Sequence, residues 1–589
     1  PGYADQEYIN LAKKENKKII AVLLYRTHYL ADDIQPIKQL IAEIESTGSV
    51  VMPLYCSMMK QPQDEIHPVE KYLLDENSST LPDVIIDCLS YATVDVSTTG
   101  NVTQGEDDLR GLFARMNVPV LHALYCSESE SQWRDNKKGM SPRDMGMKVV
   151  LPEFDGKIVA HPIAFIEEKM INGQPISQYV GNQERIISLV GLANRFAGLA
   201  LKENKDKKIS IILTNYPTQN ARIGNAVGLD TPASLICILK ELKEQGYTVN
   251  SIPKNGDDLI HSLIDQISYD TEFLTEDQKR LAPAQVHQKA YKEWYERFPE
   301  KSKKEILKDW GEPPGNVYLY EEKLYLPGIF FGNVFVGIQP PRGFGENPVA
   351  IYHSPDIVPT HHYLAFYRWL KEDFKTDAVI HLGKHGNLEW LPGKAVALAD
   401  TCYPDLAIAD LPFFYYFIIN NPGEGSQAKR RTHSVLIDHM VPPMTRADLY
   451  DDLARIEQLI EEWTYIQSVD PDKIDIVQNQ IWELCESTHI NHDLGFDQAP
   501  ENFKEYRKAI NGFLCEIGNT QIREGLHILG KVPEGDQLIN LFVSLARIDT
   551  PPVKGTQTIL MEFCGITHTS YFSDQSLPLE HAVPKSLLD

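Results

Sequence analysis

The stretch HLGKHGNLEWLPGK, residues 381–394, sets His381, His385 and Glu389 at four-residue intervals among three glycines and a proline. Imidazoles and carboxylates bind borderline divalent ions and move protons. Four-residue spacing would align all three on one face of a helix. Gly383 and Gly386 disfavour an unbroken helix. The expected path is therefore strand, loop and short helix, with His381 at the strand's carboxyl end and Glu389 on the first turn after the loop. The segment lacks HExxH, which speaks against a zincin protease. A Walker phosphate loop, GxxxxGK[ST], is set aside too. Six residues separate Gly386 from Gly393, and Ala395 stands where the hydroxyl is needed. GLHILGKV (525–532) has the spacing but ends in Val532. ATP hydrolysis by this chain is not expected.

Other stretches add to this one. His353, His361, His362, His381 and His385 fall within 33 residues, out of 18 histidines in the chain. A lone histidine is usually a satisfied structural residue; five with an acidic partner weigh equally towards a site. NNPGEGSQAKRRTHSVLIDHM (420–440) predicts a turn at Pro422-Gly423, then a helix carrying Lys429, Arg430 and Arg431. Such a run is ordinarily a solvated helix face. Arginine also grips carboxylates through paired N–H bonds, so an anionic ligand is the second reading. LPFFYYFII just before it reads as a core strand, with an aromatic wall for a flat ligand as the minor alternative. The connection Thr214 to Asp230, with Asn220, Arg222 and Asn225, is long for a strand–helix link. It lies where open α/β sheets bind ligands.

The elements that must hold these residues alternate. KKIIAVLLY, VVMPLY, DVIIDCLSY and PVLHALY read as strands, and DIQPIKQLIAEIESTG as a helix with Asp33 as cap, Pro36 in its first turn and Gly48 as its stop. KKISIILTNYP and TPASLICILKELKEQG repeat the pattern, with Thr231 as cap, and TDAVIHL is a further buried strand. The expected fold is α/β and multidomain, with Rossmann-like open parallel sheets flanked by helices and a mainly helical C-terminal region. The expected divisions are 1–190, 191–444 with a helical insertion at about 265–315, and 445–589. In the last, TRADLYDDLARIEQLIEEWTYI has apolar residues at Leu449, Leu453, Ile456, Ile460 and Trp463, the spacing of an amphipathic helix. At 589 residues, two to four domains are expected. A formal charge of −25 argues against a nucleic-acid partner. The eight scattered cysteines suit reduced thiols and a cytoplasmic location. No apolar run approaches a membrane span, so no membrane insertion is expected. No signal peptide is read, and the opening on Pro1 suggests a piece of something longer.

Together, GIQPP (337–341), VPTHHYLAFYRWL (358–370), HLGKHGNLEWLPGK, CYPD (402–405) and NNPGEGSQAKRR (420–431) resemble the large subunit of class I tetrapyrrole metal chelatases. That family holds the CobN subunit of aerobic cobaltochelatase and the H subunit of magnesium chelatase. Weaker similarity runs back through NYPTQNARIGNAVGLDTPAS (215–234) and GMSPRDMGMKVVLPEFDGK (139–157) to the first strands. LEWLPGK, PGEGSQAKRR and IDHMVPPMTRADLY look like the cobalt branch; the magnesium branch tends to LEFMPGK and PSEATIAKRR. The resemblance implies insertion of Co²⁺, as a substrate ion, into hydrogenobyrinic acid a,c-diamide, the corrinoid precursor, in cobalamin biosynthesis. It implies ATP and Mg²⁺ used by separate AAA+ subunits (CobS- and CobT-like) and not bound here. Glu389, His385 and His381 would be the catalytic group and a transient metal site, replacing waters lost by the ion and accepting ring N–H protons. His361 and His362 would line the same cavity. Arg342, Lys384, Lys429, Arg430, Arg431 and Arg222 would bind the substrate. Two alternatives stand beside this: Mg²⁺ insertion into protoporphyrin IX, and a non-catalytic tetrapyrrole- or metal-binding module.

Overall fold

IIAVLLY is apolar at every position but the last, without alternation, as a strand covered on both faces must be. It forms β1 (Ile19–Tyr25). A computed structural model describes residues 6–57, 69–74, 81–90, 92, 112–171, 173–215, 223–270, 274–343, 357–383, 386–440 and stretches within 453–563. With β2 (Val50–Cys56), β3 (Val84–Asp87), β4 (Val120–Cys126) and β5 (Ile158–Ile171), β1 makes a parallel sheet in the order β2-β1-β3-β4-β5. β6 (Gln174–Gly181) returns antiparallel along β5 as the edge.

Parallel neighbours need crossovers, which here are helices. α1 (Gln35–Ser46) has Pro36 in its first turn, and Gly48 follows its end at φ +80°. Asp33 is not its cap. Ile34 holds the N-cap position, and Asp33 Oδ1 accepts instead from Tyr179 N of β6 at 2.9 Å. The edge-strand amide takes the carboxylate that local pattern assigns to the helix. α2 (Glu130–Asp135) follows β4 behind a Ser129–Gln132 capping box. α3 (Gln183–Leu201) spans residue 190, and its Ile186, Leu189, Val190 and Phe196 pack with Ile37, Leu40 and Ile44 of α1 against the sheet.

The second sheet grows around β7 (Ile209–Leu213), whose five residues are all buried. α4 (Thr231–Glu244) begins at Thr231-Pro232. Among the described residues of 265–315 the chain forms helical segments and one strand, β8 (Ala284–His287), which pairs with β10 (Lys323–Leu326) beside β9 (Leu319–Tyr320) in a small antiparallel sheet. β11 (Gly328–Phe331) and β12 (Val334–Ile338) form a hairpin. α5 (His361–Glu372), capped by Thr360, leads to β13 (Ala378–Leu382), and β14 (Phe413–Ile418) is the core strand expected of LPFFYYFII. α6 (Pro422–Arg431) and β15 (Val435–His439) complete the order β11-β12-β7-β13-β14-β15, with β12, β7, β13 and β14 parallel.

Both sheets belong to one compact unit, Pro1–Val227 with Thr231–Asp438. A second unit, Gly228–Asp230 with His439–Asp589, is helical in most of its described residues. Its core joins Ile456, Ile460 and Trp463 to Val477, Ile481 and Cys485 of α7 (Ile474–Ser487). The chain is thus α/β, with parallel-rich sheets flanked by helices. Among the described residues no helix is long and apolar enough to cross a membrane.

Candidate functional site at the carboxyl edge of the second sheet

Register brings four polar side chains together. His381 pairs with Ile212 of β7 and with Tyr415 of β14, and Leu213 pairs with Ile338 of β12. Side chains alternate along a strand, so Thr214, two residues past Ile212, shares a face with His381. Gln339, one past Ile338, lies level with Thr214. Gln339, Thr214, His381 and Tyr415 therefore form a row across four parallel strands at their carboxyl ends, where such sheets bind ligands. His381 Nε2 lies 3.1 Å from Thr214 Oγ1, and its ring meets the Tyr415 ring edge-on at 4.4 Å.

Glu389 closes over this row. As expected, a loop leaves β13 and a short 3₁₀ turn, Leu388–Trp390, carries the carboxylate. Glu389 is 2% exposed. Tyr415 Oη donates to Glu389 Oε1 at 3.2 Å and accepts from Gly386 N at 2.7 Å. A Cβ on residue 386 would sit 2.8 Å from Glu389 Oε2 and 3.2 Å from His381 Nε2, so only glycine lets both side chains approach. Asn387 is held by Tyr363, whose hydroxyl donates to Asn387 Oδ1 at 2.6 Å, and its Nδ2 donates to Pro340 O at 3.3 Å. Tyr367, beside Tyr363, engages Gln339. Gln339 Nε2 is buried and makes no other close hydrogen bond among the described residues.

Electrostatics separates the two titratable groups. Burial raises the Glu389 carboxyl to about 8, against the lowering effects of backbone, Tyr415 and Arg431. Burial also drives His381 down to about 3. At neutral pH Glu389 is mostly protonated and His381 is neutral. Glu389 exchanges a proton near physiological pH; His381 does not.

Arg430 and Arg431 of the basic run turn to protein groups rather than into solvent. Arg431 is 9% exposed and donates to three carbonyls of the Glu389 loop: Glu389 O, Leu391 O at 2.6 Å and Lys394 O at 3.0 Å. Arg430 makes a two-pronged pair with Glu153 at 2.7 and 2.8 Å. Burial lowers the Lys429 ammonium, with Glu153 partly offsetting it. A solvated basic face is not what folds here.

His361 lies between Tyr291 Oη and Gly311 O, both at 2.9 Å, and His362 Nε2 lies 2.9 Å from Tyr325 O among Tyr269 and Tyr318. These contacts turn both rings toward the small antiparallel sheet and its helices, not toward Glu389. Arg342 Nη2 donates to Ile357 O at 3.2 Å. Lys384, His385 and Arg222 lie outside the described residues. Among the described residues, no three His, Cys, Asp or Glu side chains are gathered to hold a metal ion.

Residues 3–584 match the family described as CobN/Magnesium Chelatase. The chain belongs to this family. An uncharacterized protein of Methanocaldococcus jannaschii, MJ0908, is 40% identical over 92% of this chain and 44% of its own length. The aerobic cobaltochelatase subunit CobN of Pseudomonas aeruginosa is 36% identical over 93% of this chain and 42% of its own. In solved form, the catalytic subunit of cobaltochelatase from Mycobacterium tuberculosis superposes with a TM-score of 0.70 at 35% identity, covering 92% of this chain and 46% of that one. The chain spans less than half the length of these relatives.

Within this member of the chelatase family, several site residues carry no local signal. Tyr415 reads as one aromatic among five in FFYYF, and Thr214, Tyr363, Asn387 and Gln339 are ordinary polar residues. Only strand register brings Tyr415 and Thr214 to His381. Lys394 is visible as the end of LPGK, but its partners are more than 250 residues away.

Proposed function

We propose that this chain is the tetrapyrrole-binding, catalytic part of a chelatase large subunit that inserts Co²⁺ into hydrogenobyrinic acid a,c-diamide. Separate AAA+ subunits of the CobS and CobT type hydrolyse ATP. The observation that carries the reading is a buried carboxyl, Glu389, tuned to about 8 at the carboxyl edge of a parallel sheet. It stands in a chain that belongs to the CobN/Magnesium Chelatase family. The cobalt branch is favoured by LEWLPGK and PGEGSQAKRR and by the match to cobaltochelatase subunits.

Metal insertion replaces two ring N–H bonds with metal–nitrogen bonds and releases two protons. The ion must also shed water. Glu389 serves both needs in turn. With a pKa of about 8 it gives its proton to solvent, and the carboxylate so formed binds the ion in place of water. Once the ion has passed to the ring nitrogens, the carboxylate takes the ring protons one at a time and returns them to solvent. His381, held neutral, orients Tyr415 and Thr214 rather than carrying protons. His385 is the second donor for the ion in transit.

Titration with the corrinoid diamide and with protoporphyrin IX tests the ring; Co²⁺ with the ATP-hydrolysing subunits tests the reaction. Metallated corrinoid is expected from the wild type. Glu389→Gln should abolish insertion and leave ring binding within about twofold. Wild-type turnover by that variant would remove Glu389 from the mechanism; tighter binding of the porphyrin would transfer the chain to the magnesium reaction.

A further inference from the structure

Among the described cations that the sequence offers as grips for an anionic ring, Arg342, Arg430 and Arg431 are already engaged by protein groups. We propose that Arg431 and Lys394 are positioning residues for Glu389, which together lock residues 389–394 between α6 and α2. The proposal rests on the reading of Glu389 as the reacting carboxylate. Arg431, the last residue of α6, gives Nε, Nη1 and Nη2 to the carbonyls of Lys394, Glu389 and Leu391. The carbonyls of Glu389 and Leu391 stand at the end of a short 3₁₀ turn, where no helical donor follows, and that of Lys394 lies in the segment after it. A planar guanidinium fork fits three of them at once, which a lysine ammonium at the same place does not.

Lys394 carries the lock onward. Its side chain is 6% exposed, and Nζ donates to Trp133 O at 2.6 Å, Asn136 O at 2.8 Å and Arg134 O at 2.9 Å. These are the carbonyls at the C-terminal end of α2, the end of a helix that favours a cation. Two neighbouring contacts tie the same segments. Trp133 Nε1 donates to Ala397 O at 2.8 Å, and Gly139, at φ +90°, lets Val396 O approach to 1.9 Å from where a Cβ would be. Glu389 is thus fixed from one side by α6 and from the other by an element of the first-sheet half. Releasing Arg431 to a substrate carboxylate would leave three buried carbonyls without donors, a loss no single ion pair restores.

Hydrogen exchange, ring titration and insertion kinetics on Arg431→Lys and Lys394→Met in the full chain test this. For Arg431→Lys, amide exchange within 386–394 should rise about tenfold or more. With the ATP-hydrolysing subunits present, kcat should fall on the order of a hundredfold, as for a misplaced reacting group, while ring KM and Kd stay within twofold. Lys394→Met should show the same exchange change and extend it to 133–137, and it decides the matter if Arg431→Lys does not fold. Unchanged exchange overturns the lock. A tenfold rise in ring Kd with kcat retained would make Arg431 a ligand grip instead. If the wild type inserts no metal with any ring, the chelatase reading falls, and exchange alone still decides whether the lock exists.

Discussion

Removing the charge of Glu389 without changing its shape gives the sharpest test of the site's electrostatics. The folded carboxyl stands at about 8 against an ordinary 4.5. Between those values the folded chain keeps a proton that the unfolded chain has lost, so stability falls as pH rises. At about 1.4 kcal/mol for each pH unit between the unfolded and folded values, this one group costs roughly 5 kcal/mol by the time pH passes 8. The buried histidines, His122, His161, His361, His362, His381 and His433, work in the other direction: all are lowered from 6.5 by burial, so stability rises with pH until the unfolded imidazoles have lost their protons, about one unit above that value. That rise is common to the wild type and a Glu389 variant, so the difference between the two proteins from pH 6.5 to 8 isolates the carboxyl, and about 2 kcal/mol of its effect falls there. Urea unfolding of wild type and Glu389→Gln at pH 6.5 and 8.0 measures it. The wild type should lose about 2 kcal/mol more than the variant over that step, and the variant should be the more stable protein at pH 8. Parallel losses in the two proteins would mean that Glu389 is ionised in the fold, and the assignment of a proton-exchanging carboxyl would be wrong.

Three further outcomes are expected. Gly386→Ala should reduce metal insertion at least tenfold while the chain stays folded, because a Cβ 2.8 Å from Glu389 Oε2 must push the carboxylate aside; unchanged insertion kinetics would contradict the close approach. A double-mutant cycle of Arg430→Gln and Glu153→Gln should give a coupling of about 1–2 kcal/mol in urea unfolding, above the range of exposed pairs because both side chains are largely covered. A coupling near zero would show that the pair does not persist in solution. Gln339→Leu should leave stability within about 1 kcal/mol of wild type, since beyond its engagement of Tyr367 the amide Nε2 makes no close hydrogen bond among the described residues. A loss of 2 kcal/mol or more in the melt would mean that the amide is satisfied after all.

The elements and the position of Glu389 are legible in the sequence. Unbroken apolar runs become buried parallel strands because backbone pairing and burial are both satisfied that way. Two glycines around His385 force the strand–loop–turn path that delivers Glu389, and that too is local. The partners of charged groups are different, since a long cation satisfies itself with whatever the fold brings within reach. Asp33 reads locally as a helix cap and serves a strand edge. Arg430 and Arg431 read as hands for an anion and hold Glu153 and a loop's carbonyls. His361 and His362, close to His381 in the chain, face another sheet. Tertiary structure alone decided these, because burial sets the cost of leaving any donor or acceptor unpaired. The same burial lifted Glu389 and lowered His381, turning two residues of one motif into a proton-exchanging acid and a neutral support.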